Sequence, residues 1–195
     1  MAEQMRVRYS TVAIILHWTI AALVVANVLI GWQFEELRGP ARTPLMQVHK
    51  TLGMSILLLT LARIAWRFVK KPPPLSQTMN RWERTAARVI HAGFYVLLIG
   101  LPLTGWITVS ANENPRPIDM FGLFQIGPID YFAAMERDAQ EGVHDALEET
   151  HHFLAKVVVY ALVPLHILGA LKHQFLDKED ELGRMLPFRT RRPRA

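Results

Sequence analysis

The chain of 195 residues carries eight histidines, His17, His49, His91, His144, His151, His152, His166 and His173, and no cysteine. All but His144 lie in or at the ends of long apolar stretches. An ionisable side chain in such a place is expensive and calls for a functional reason. A neutral imidazole is a common metal ligand. The absence of cysteine excludes disulfides, thiolate zinc sites and iron–sulfur clusters. The chemistry left open to these residues is metal or haem ligation by histidine alone.

The elements that must position them are legible in the apolar pattern. Thr11 to Trp32 has no charged residue in 22 positions, and Val89 to Asn112 has none in 24. Val48 to Val69 holds only Lys50, Arg63 and Arg67, and His151 to Leu171 only Lys156. A membrane-crossing helix needs about 20 apolar residues for about 30 Å of hydrocarbon. Long basic side chains near the ends reach the headgroups. Four spans are predicted, at about 11–32, 48–69, 88–110 and 151–173. The expected architecture is all-α, a transmembrane four-helix bundle in one domain covering 1–195. The outer loop is predicted over 111–150 and a cytoplasmic tail over 176–195. Residues 131–150 suggest a short helix lying at the outer surface. A soluble helical core of this length could not hide four such segments.

The charges partition between the spans. Residues 63–88 hold seven bases and one acid, and residues 172–195 hold seven bases and four acids. Residues 111–151 hold two bases and nine acids. Of the 22 basic residues, 16 fall in the N-terminus, the 63–88 segment and the tail, all on one side of a four-span chain. The positive-inside rule puts both termini and the 63–88 segment in the cytoplasm. The net charge of +5 is thereby explained without nucleic acid as a partner.

Orientation sets the depth of each histidine. His17 lies near the cytoplasmic side of the first span, and His49 opens the second at the outer side. His152 opens the fourth span at the outer side. His166 follows 14 residues later, about 21 Å and nearly four turns of α-helix, on the same face. Two pairs emerge: His17 with His166 inside, His49 with His152 outside. Neither pair has a carboxylate at its depth, so zinc would lack ligands. Haem iron needs only two axial ligands on opposite faces of the macrocycle, and bundle interiors are where such cofactors sit. Two haems b, with iron held through His17, His49, His152 and His166, are the expected cofactors. Gly31, Gly53, Gly93, Gly100, Gly105 and Gly169 would give a flat macrocycle clearance between helices, as well as ordinary close packing.

These pieces resemble the bacterial cytochrome b561 family of di-haem membrane proteins that includes superoxide oxidase. They are Leu16-His17-Trp18 after Arg8-Tyr9-Ser10, and Val48-His49-Lys50 with Arg63 14 residues beyond His49. His91 precedes Leu101-Pro102-Leu103-Thr104-Gly105, and Arg184-Met185-Leu186-Pro187 lies in the tail. The resemblance covers nearly the whole chain in order. It implies His17, His49, His152 and His166 as haem ligands, with His151 the main rival to His152. It associates His91 and His173 with ubiquinone on the cytoplasmic side. It implies electron transfer between an outer redox partner and membrane quinone, with superoxide:ubiquinone oxidoreductase as the enzymatic form. No catalytic residue is assigned.

One feature departs from that picture. Superoxide is an anion, yet residues 111–151 carry nine acids against two bases. Lys50 and Lys156 offer a local positive spot, while the overall field suits a basic redox protein as donor. An electron-carrier or membrane-anchor cytochrome without superoxide activity is therefore the second reading. A haem-free metal or proton transporter is a remote third, since the spans show no carboxylate relay.

Overall fold

The computed structural model describes residues 8–37, 42–75, 79–179 and 181–187, with side chains of 34–36 left aside. Helix α1 spans Thr11–Glu36, α2 Arg42–Val69, α3 Arg81–Ser110, and α4 runs unbroken over Arg137–Leu176. Each is long and apolar enough to cross a membrane. Each also exceeds its apolar run, because polar residues continue the helix past the hydrocarbon. Ser10 caps α1, its hydroxyl accepting from Ala13 N at 3.3 Å. At the start of α3, Glu83 folds back to accept from Asn80 N at 2.9 Å, a capping arrangement that satisfies a backbone donor.

α1 packs on α2, α2 on α3 and α3 on α4. Large apolar side chains stay exposed on the outside of the bundle, among them Val25, Leu29, Leu58, Val96 and Leu168. A protein in water would bury these, whereas hydrocarbon solvates them. All backbone polar groups of a span must be met within the helix, which only this secondary structure achieves without a closed barrel.

Two differences from the sequence expectation matter for the site. The helix expected to lie on the surface over 131–150 is instead, from Arg137, the first turns of α4. Strand β1 (Ile118–Met120) and strand β2 (Phe124–Ile126) form an antiparallel hairpin, with Ile118 opposite Ile126. The hairpin seats on the bundle: Ile118 and Met120 are buried with Met54 and Leu57 of α2, beside Ile99, Leu103 and Trp106 of α3. Asp119 O accepts from Thr51 Oγ1 at 2.6 Å, and Gly127 O from Trp106 Nε1 at 3.0 Å. We call this the hairpin end of the bundle.

At the other, terminal end the chain closes on itself. Arg184 O accepts from Tyr9 N at 3.3 Å, and Arg184 Nη2 donates to Pro74 O at 2.9 Å. Trp18 Nε1 donates to Met185 O at 2.7 Å. Lys172 bonds both Glu83, buried, and Asp177, the latter at 2.8 Å.

α4 is not a uniform α-helix. Val158–Leu162 forms a π-turn, with Val163 N donating to Val158 O, and Lys172–Leu176 forms another. Pro164 supplies the reason for the first. It has no N–H and its ring crowds the carbonyl four residues earlier, so the helix widens there. A π-turn takes up one residue more than an α-turn.

Candidate functional site

Two imidazole pairs face each other across the bundle, one at each end. At the terminal end the rings of His17 (α1) and His166 (α4) lie 6.1 Å apart between centres, at 73°. At the hairpin end His49 (α2) and His151 (α4) lie 6.2 Å apart, at 72°. Two imidazoles on opposite faces of one metal ion, with metal–nitrogen bonds of about 2 Å, put their ring centres about 6 Å apart. Both separations fit a bis-histidine haem iron.

The partner of His49 differs from the expected one. The sequence expectation put His152 on the inner face, and the structure puts His151 there. His152 is 60% exposed, with Nε2 3.9 Å from Glu148 Oε1. The physical reason is the π-turn. The fourteen-residue argument assumed continuous α-helix. With one residue absorbed between 158 and 162, the position in phase with His166 is fifteen residues back, which is His151.

Both rings at the hairpin end are oriented by carbonyls. His49 Nδ1 bonds Asn27 O at 3.2 Å, and His151 Nδ1 bonds Leu101 O at 3.0 Å and Thr104 Oγ1 at 3.1 Å. A carbonyl can only accept, so Nδ1 carries the proton and Nε2 keeps the lone pair that a metal would need. Two glycines make the room. A Cβ at Gly31 would lie 3.6 Å from His49 Cε1, and one at Gly105 3.2 Å from His151 Cε1. The residues present fit haem: paired imidazoles, fixed tautomers and a cradle that a larger side chain would fill.

The terminal end has a third imidazole. His91 lies ten residues inside α3, not at its start, with its ring 5.5 Å from His166. Phe94 packs edge-on to His166 at 5.3 Å. Arg63 donates to Ala13 O at 2.7 Å, which holds its guanidinium beside the histidine cluster. Its charge acts on His17, His91 and His166. His173 instead bonds Asp177 Oδ2 through Nδ1 at 2.7 Å. Asp177, beyond the last span, is held below the ordinary carboxylate value by the Lys172 ammonium and by His173. His144, given no role by sequence, bonds Thr108 O at 2.9 Å through Nδ1.

The fold and these pairs define a class: a membrane four-helix bundle in which histidines of different helices face each other at both ends. The family model for prokaryotic cytochrome b561 matches residues 8–188, and the chain belongs to that family. It is thus a multi-pass inner-membrane cytochrome, and its cofactor is b-type haem. It is similar to cytochrome b561 homolog 2 of Escherichia coli K12, 30% identical over 183 residues, or 92% of this chain and 91% of the relative. It is 31% identical over 187 residues to the probable superoxide oxidase CybB of Yersinia pestis, covering 94% of this chain and 98% of that protein. Cytochrome b562 of Cereibacter sphaeroides is 26% identical over 184 residues, 91% of this chain and 94% of the relative.

Proposed function

We propose that the chain carries electrons between a redox partner at its hairpin end and the membrane quinone pool, through two haems b. His17 and His166 hold one, and His49 and His151 the other. The observation that carries this reading is the repeated pair of imidazoles about 6 Å apart at opposite ends of one bundle. Haem, when bound, supplies a one-electron couple. The protein's part is to fix the imidazoles, exclude water and set the local charge. Asn27 and Leu101 carbonyls fix two tautomers. Arg63 places a cation at the terminal end, which favours the added electron there.

The terminal end is taken as cytoplasmic because residues 63–88 and the tail hold most of the bases. Quinone is placed at that end. His91, against His166, and His173, bonded to Asp177, are two side chains there that could exchange protons with a quinone oxygen. The likeness to a probable superoxide oxidase makes superoxide:ubiquinone oxidoreductase the leading enzymatic form. The acidic 111–151 segment supports the second reading, a carrier or membrane anchor serving a basic redox protein.

A reduced-minus-oxidised spectrum with haem quantified per chain tests the core claim. Two b-type haems per chain are expected, and one or none overturns it. Stopped-flow reduction by superoxide, with ubiquinone as acceptor, then separates the readings. Rapid reduction with stoichiometric quinol supports the enzyme, and no reaction supports the carrier.

A further inference from the structure

The first turns of α4 carry a second histidine-containing constellation, on the outside of the bundle. His144, Asp145 and Glu148 present ligand atoms that all lie within 4.8 Å of one another. His144 Nε2 is 3.8 Å from Glu148 Oε2. That gap is too long for a hydrogen bond. It is near the separation of two atoms sharing a tetrahedral metal, about 3.3 Å for bonds of about 2 Å. Positions 144 and 148 are four residues apart, so their side chains stack on one helical face.

An observation outside the cluster prepares it for a ligand. Thr108 O, on α3, accepts from His144 Nδ1 at 2.9 Å. The carbonyl fixes the tautomer and leaves Nε2 as the lone-pair nitrogen on the side of Glu148. This is the arrangement that supports a metal-bound histidine. Beside it opens a cleft of about 240 Å³, lined in part by Glu113, Arg137, Gln140, His144 and Asp145.

We propose that His144, Asp145 and Glu148 form a surface site for a divalent d-block cation of the zinc class. An imidazole with two carboxylates suits such an ion better than magnesium or calcium, which take all-oxygen shells. The consequence for haem rests on the proposed assignment of His151 as its ligand. The site's place gives it a consequence. The cation would add positive charge beside the ligand of the hairpin-end haem and partly offset the acids of residues 111–151.

The test is calorimetric titration of zinc chloride into the detergent-solubilised, haem-loaded protein carrying no histidine tag. One zinc per chain is expected. His144→Asn and Glu148→Gln should each weaken binding at least about tenfold while the haem spectrum stays unchanged. Redox titration should show the hairpin-end haem moving to more positive potential with zinc in the parent and not in Glu148→Gln. No saturable binding, or equal binding in both variants, overturns the site. Loss of a haem in His152→Ala overturns the haem-ligand assignment instead, since His144→Asn and Glu148→Gln test the cation site by themselves.

Discussion

A methyl group added at Gly105 would stand 3.2 Å from His151 Cε1, tighter than side-chain packing normally allows. Gly105→Val should displace that ring and empty the hairpin-end haem site, seen as about half the haem per chain. Retention of both haems would show that the ring does not need this clearance. His151→Ala should likewise cost one haem, whereas His152→Ala should keep both. Arg63→Gln should shift the terminal-end haem to more negative potential, by tens of millivolts at protein-like dielectric, measured by redox titration. Asp177 is held below its ordinary value of 3.8 by Lys172 and His173. Its stabilising contribution is therefore present above that value and lost as pH falls through the lower, folded value. Asp177→Asn should lower thermal stability at neutral pH and flatten the acid-side decline, as read by melting against pH. His17, His49 and His166 were legible as candidates because none has a second histidine beside it to compete for the same face. The choice between His151 and His152 was not, since neighbouring histidines differ only in helical phase.

That phase is set at the scale of the element. A count of fourteen residues assumes α-geometry throughout, and Pro164 breaks the assumption by widening Val158–Leu162. The proline is visible in the sequence, but whether a helix answers it with a kink or a π-turn depends on its neighbours. Deleting one residue within Val158–Leu162 should return the helix to α-geometry and keep His151 and His166 in phase. Both haems are expected to remain in that deletion. Inserting an alanine there should rotate His151 by about 100° and cost the hairpin-end haem. A haem count on the two purified variants decides. The spans themselves were legible from apolar length, with ends extended by polar turns. The hairpin was not, because three-residue strands leave too short an alternation. The turn also places Phe121 at φ 58°, a conformation that a bulky side chain seldom signals.

For the whole molecule, the sequence's division of charge matches the division of structure. The acids gather with the hairpin and the first turns of α4, while among the described residues Arg63, Arg67, Arg84, Lys172 and Arg184 lie toward the terminal end. The tail is the piece that joins this second end. Trp18 and Met185 stand 167 positions apart and are held by a single hydrogen bond of 2.7 Å. Tyr9 and Arg184 meet over a similar span. These contacts tie the start of α1 to the segment that follows α4. The terminal end therefore cannot close until translation has passed residue 186. Until then Trp18 Nε1 and Tyr9 N lack the carbonyl partners that the finished fold gives them.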